Sequence, residues 1–174
     1  MPILSRFVAL LLAAVSVSIS ILTITPSASA GDLVAFSTPV SAGTIVVRTS
    51  ERRLYLVLGE GRALRYVVGV GRARSQWAGA SFIDGKYVRP NWAPPASIKR
   101  ERPGLPDVIA SGSPANPMGV AAMTLAGGEY AIHGTNAPNS IGGFVSHGCI
   151  RMYNQDIADL FDRVRIGTPV VVTR

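Results

Sequence analysis

RLYLVLGEGRALRYVVGV runs from Arg53 to Val70 and reads as two strands with a turn between them. Leu54, Leu56 and Leu58 alternate with Arg53, Tyr55 and Val57, Gly59-Glu60-Gly61 breaks the run with turn residues, and Ala63 to Val70 resumes it. The same signals recur on either side. Thr44 to Thr49 is β-branched; Val120 to Leu125 turns at Gly127-Gly128 into Glu129 to His133; Thr168 to Thr173 predicts a closing strand. Between them, Arg72 to Gly119 dissolves into Pro, Gly, Ser and charges, too long for an ordinary connection, and so reads as a functional loop region holding Trp77 and Trp92. Only Ile157, Leu160, Phe161 and Val164 keep helical spacing, with Asn154 as N-cap, Asp156 suited to the positive helix end and Gly167 as stop. The expectation is a mostly-β domain with one main helix packed on a single core.

Residues 1–30 stand apart. Arg6, the apolar run Phe7 to Ile24 and the closing Ala28-Ser29-Ala30 have the order of a secretory signal peptide, so cleavage is expected before Gly31. Residues 31–43 then form a short leader and 44–174 the folded domain. Such a chain is secreted across the cytoplasmic membrane. The short leader, with no wall-binding repeat beside it, points to the periplasm. Formal charge is +7, and loss of Arg6 leaves 16 basic against 10 acidic residues. The basic residues are scattered without aromatic interleaving, which argues against nucleic acid and for a carboxylate-bearing wall polymer.

An oxidising compartment uses cysteine in pairs, yet this chain has one. It also has two histidines, and His133, His147 and Cys149 share one 22-residue stretch, Ala131 to Met152. A nucleophilic thiol needs a partner to take its proton, and either histidine is placed to do so. Gly148 lets a carbonyl approach backbone N–H groups, and Arg151 adds a fixed positive charge. Zinc would have three ligands at an H-x13-H-x-C spacing and no adjacent carboxylate, so no metal is expected. A wall-binding module in which Cys149 is incidental is the competing reading from outside enzymology.

His133-Gly134-Thr135 followed by Ser146-His147-Gly148-Cys149-Ile150-Arg151 resembles the signature of the L,D-transpeptidase family, the YkuD-type catalytic domain of bacterial wall enzymes. Ile141-Gly142, Asn116-Pro117-Met118-Gly119, Pro90-Asn91-Trp92-Ala93-Pro94-Pro95 and Gly167-Thr168-Pro169-Val170-Val171 extend the likeness over Thr44 to Arg174. One element departs: where relatives carry Thr-Pro-x-Gly, this chain reads Gln76-Trp77-Ala78-Gly79. The resemblance implies a β-sandwich-like fold and covalent acyl transfer on peptidoglycan stem peptides without a cofactor. Cys149 would attack the third residue of a tetrapeptide stem and expel D-alanine. His133 would act as base and His147 would support the tetrahedral intermediate, two roles the sequence leaves exchangeable. The Gly148 and Cys149 N–H groups would hold the oxyanion, Arg151 would order the site or meet a carboxylate, and Ser146 and Trp92 would shape the groove. The acceptor would be a second stem, an envelope protein or, in a carboxypeptidase, water. Carbapenems would inhibit.

Overall fold

The computed structural model describes residues 31–174, and the expected signal peptide lies outside them. The hairpin read from Arg53 to Val70 forms β3 (Arg53–Gly59) and β4 (Arg62–Gly71), with Leu56 opposite Leu64. Before it come β1 (Asp32–Ala35) and β2 (Ile45–Arg48). After it come β5 (Gly79–Val88), α1 (Ala96–Glu101), β6 (Ala121–Leu125), β7 (Ala131–His133), β8 (Phe144–Ser146), β9 (Ile150–Met152), α2 (Asn154–Arg163) and β10 (Pro169–Thr173).

Hydrogen-bonded neighbours run β4-β3-β2-β10-β5-β6-β7-β9, and β9 pairs again with β4 through Val68 and Gly69. Eight strands thereby close on themselves, and the two layers expected of a sandwich are opposite walls of one barrel-like sheet. The length of β4 allows this: residues 62–67 bond β3, and 68–69 bond β9. Closure also hides the edges that an open sheet would expose.

The interior is aliphatic. Ile45, Val47, Leu54, Leu56, Val68, Ile83, Met123, Ile132, Ile150, Met152 and Val170 are buried together with Ile157 and Leu160 of α2. Burial of each such side chain stabilises the fold by about 1.5–3 kcal/mol. The alternation in β3 describes only its inner face. Tyr55 and Val57 are buried too, in a second cluster with Phe36, Val46 and Ala63, while Leu58 is exposed. The leader creates that cluster: β1 pairs with 62–65 of β4, and Phe36 stacks on Tyr55 at 4.3 Å. Backbone pairing holds β1, so its residues need no apolar alternation.

Three expectations need correction. The region from Arg72 to Gly119 contains β5 and α1. Gly79, Ala80, Asp84, Gly85 and Lys86 are weak strand formers, and β5 exists because β10 and β6 bond its two edges. The main helix ends at Arg163, before Gly167: Lys86 donates from Nζ to the carbonyls of Phe161 and Val164, both at 2.6 Å, and terminates it from outside. Gly167, at φ +87°, instead turns the chain into β10. Asn154 is the first helical residue, Tyr153 takes the cap position without a side-chain bond, and the Asn154 amide is used elsewhere. Asp156 is buried in the first helical turn, where burial and then the Asp159 charge push its carboxyl up to about 6.

Candidate active site

β7 delivers His133 at its end, and the turn between β8 and β9 carries His147, Gly148 and Cys149. Parallel pairing of β7 with β9 sets His133 beside Arg151. These strands wall a cavity of about 420 Å³, lined by Trp92, His133, Ser146, His147, Cys149 and Arg151, all expected from the sequence. Ser97 and Ile98 of α1, Pro117, Met118, Glu129 and Tyr130 are also among the lining residues. Ser97, Ile98, Glu129 and Tyr130 were missed because they lie outside the His and Cys motif elements, while Pro117 and Met118 were noted only as part of the Asn116 to Gly119 element. The seventh expected residue, Gly148, is not among the lining residues and shapes the turn.

The turn is stapled by Ser146. Its buried Oγ donates to the Cys149 carbonyl at 2.6 Å and accepts the Gly148 N–H at 3.0 Å. This changes one expectation: the Gly148 N–H, expected to hold an oxyanion, is engaged by Ser146 within the turn. Gly148 has φ +124°, and a Cβ there would lie 2.3 Å from Tyr130 Cε1, so both conformation and space require glycine. Cys149 Sγ sits 4.0 Å from the Glu129 carbonyl. Burial pushes its thiol up, while the Ala131 N–H and the Arg151 charge pull it down.

His133 is only 3% exposed. Its Nδ1 lies 2.7 Å from the Gly134 carbonyl, which can only accept, so this contact favours the tautomer with its hydrogen on Nδ1. Burial, and then Arg151, push its pKa down to about 4 against the pull of the Gly134 and Pro117 carbonyls. Asn154 fixes that carbonyl's neighbourhood. Its Oδ1 accepts from the Thr135 N–H at 3.0 Å and the Val120 N–H at 3.3 Å, and its Nδ2 donates to the Thr135 carbonyl at 3.0 Å. A Cβ on Gly134 or Gly119 would meet Asn154 Oδ1 at 2.3 or 2.2 Å, so two motif glycines admit this one clamp.

His147 faces a different set. Arg72 Nη2 is 3.0 Å from each ring nitrogen, and Glu101 Oε1 is 3.5 Å from Nδ1. Burial first and Arg72 second push its pKa down, against Glu101. Arg151 has a buried Nε with no hydrogen-bond partner among the described residues. Trp92 is held by paired backbone bonds with Ile109, 2.9 and 2.8 Å, and Asn116 Nδ2 ties the Pro90 and Ala110 carbonyls beside it. No group of three or more His, Cys, Asp or Glu among the described residues could hold a metal ion. A thiol, a buried imidazole and a guanidinium around one cavity suit nucleophilic acyl chemistry.

Comparison with known proteins agrees. The chain is 38% identical over 135 residues to the probable L,D-transpeptidase YbiS of Escherichia coli, a match covering 72% of this chain and 43% of that protein. It is 41% identical over 137 residues to the probable L,D-transpeptidase ErfK/SrfK of Salmonella typhimurium, covering 74% and 43%. The chain thus spans under half the length of these curated relatives. Its fold matches an L,D-transpeptidase from Mycobacterium smegmatis with a TM-score of 0.60 at 17% identity, covering 75% of this chain and 58% of that one. It also matches the catalytic domain of the Enterococcus faecium L,D-transpeptidase with a TM-score of 0.58 at 20% identity, covering 75% and 95%. Since residues 42–172 fit the family model of the L,D-transpeptidase catalytic domain, the chain belongs to that family.

Proposed function

We propose that this protein is a peptidoglycan L,D-transpeptidase acting through a Cys149 thioester. The observation that carries the reading is that the sulfur and a buried imidazole, whose Nδ1 is engaged by the Gly134 carbonyl, line one cavity. Cys149 Sγ attacks the carbonyl of the third stem residue as its proton passes to His133 Nε2. The carbonyl oxygen takes the negative charge and meets the Cys149 N–H. Collapse breaks the C–N bond, and His133 returns its proton to the departing D-alanine amine. An amine acceptor, from a second stem or an envelope protein, then loses a proton to His133, attacks the thioester and releases the thiol. Arg151, whose buried Nε has no hydrogen-bond partner among the described residues, holds a substrate carboxylate. His147 is assigned to the mouth of the cavity, because Arg72 and Glu101 occupy its ring.

Imipenem is bound in a structure of the L,D-transpeptidase LdtMt1, and a faropenem-derived adduct is present on L,D-transpeptidase 3 of Mycobacterium tuberculosis. The same β-lactams are proposed to acylate Cys149. We also propose removal of residues 1–30 and action in the periplasm, supported by the sequence of that segment; the mass of the secreted protein tests it. Mass spectrometry of tetrapeptide muropeptides incubated with the protein, beside Cys149→Ala, tests the reaction. Cysteine-dependent loss of D-alanine is expected, and a cross-linked dimer, a protein conjugate or a free tripeptide names the acceptor. D-alanine release that survives in Cys149→Ala would sink the mechanism.

A further inference from the structure

Trp77 lies in the segment where this chain departs from Thr-Pro-x-Gly, and the steps above make no use of it. Its Nε1–H donates to the Gly148 carbonyl at 3.0 Å, and its ring stacks on Tyr130 with centroids 5.0 Å apart and planes 6° from parallel. Tyr130 in turn closes directly on Gly148. The residue before the nucleophile is therefore gripped by one hydrogen bond and one aromatic wedge.

Peptide geometry gives that grip a consequence. The Gly148 carbonyl and the Cys149 N–H belong to one planar trans peptide and point in opposite directions, so whatever aims the oxygen aims the N–H. Ser146 bonds the Gly148 N–H and the Cys149 carbonyl, which belong to the two flanking peptides. The peptide between them is held through Trp77. A proline in place of Trp77 has no side-chain donor, so in this chain the departure supplies the bond to the Gly148 carbonyl.

We propose that Trp77 is a positioning residue: its indole N–H sets the plane of the Gly148–Cys149 peptide and so points the Cys149 N–H at the oxyanion of the tetrahedral intermediate. This rests on the acyl-transfer reading above. It also separates two reactions of the same sulfur. Alkylation by iodoacetamide passes through no oxyanion and needs only the thiolate. Acylation by imipenem or by a stem peptide needs both.

The test is Trp77→Phe, which keeps a ring against Tyr130 and deletes the donor. Loss of one oxyanion donor costs about 10²–10³-fold in kcat, and misaiming one is expected to cost about 10- to 100-fold. Imipenem acylation and D-alanine release should fall by that factor with KM changed less than about threefold, while the rate and pH profile of iodoacetamide alkylation stay as in wild type. Unchanged acylation in a folded Trp77→Phe protein overturns the proposal, and so does a parallel fall in acylation and alkylation, the mark of a merely structural role. Should the phenylalanine variant fail to fold, benzothienylalanine at position 77 replaces the N–H by sulfur in the same shape and gives the same two readings. A wild-type protein that alkylates but neither acylates nor releases D-alanine overturns the acyl-transfer reading itself.

Discussion

Burial raises the Cys149 thiol and lowers the His133 imidazole, so in the resting protein the proton stays on sulfur and both partners are neutral. The alkylation rate of Cys149 is therefore expected to climb only above the ordinary thiol range, with no plateau at neutral pH. Arg151→Met removes a charge that favours the thiolate and should move the profile to higher pH; a thiolate plateau near pH 6 would refute the neutral pair. The same burial links His133 to stability. Its pKa is about 4 in the fold against about 6.5 unfolded, so its stabilising contribution is complete above pH 6.5 and is lost as pH falls toward 4, by roughly 3 kcal/mol. Asp156, raised to about 6, works in the opposite sense over the same range, so wild type alone shows less than this. The gap in unfolding free energy between wild type and His133→Gln should therefore narrow on going from pH 7 to pH 4.5. A gap that does not change with pH would count against the buried neutral ring. At this scale the sequence is informative because the chain spends its few His and Cys residues on one site. It misleads about the Gly148 N–H, whose acceptor is a hydroxyl two residues back, and it is silent on His147, whose partner Arg72 is 75 residues away.

Elements whose apolar residues repeat were legible: β3, β4, β6 and β10 stand close to where alternation and β-branching put them, and α2 follows its four spaced apolar residues. β5 was not, because its composition opposes a strand and only its two neighbours stabilise it. It nevertheless carries the residue that ends α2. Lys86 places its ammonium on two terminal carbonyls and 4.1 Å from the Phe161 ring centroid. Lys86→Met should lower stability by about 1–2 kcal/mol through orphaned carbonyls and the lost charge at the helix C-terminus. Urea denaturation measures it, and an unchanged midpoint would mean that α2 ends without help from β5.

For the molecule as a whole, one pairing joins distant parts of the chain. β10 runs parallel to β2, with Val170 opposite Ile45, and antiparallel to β5, with Pro169 opposite Phe82. Deleting residues 168–174 would expose both edges and strip Val170 and Val172 from the core, so the truncated chain is expected to lose dispersed amide resonances and not merely soften; a folded spectrum would show that the barrel tolerates a gap. Closure was beyond the sequence because backbone bonds between distant segments leave no local pattern.

A ribosome makes β10 after every other strand. Until it emerges, β2 and β5 lack the partner they share, the ring stays open, and the cysteine turn has no rigid wall behind it. The ring that frames the cysteine turn is therefore completed by its last-made strand, and not before.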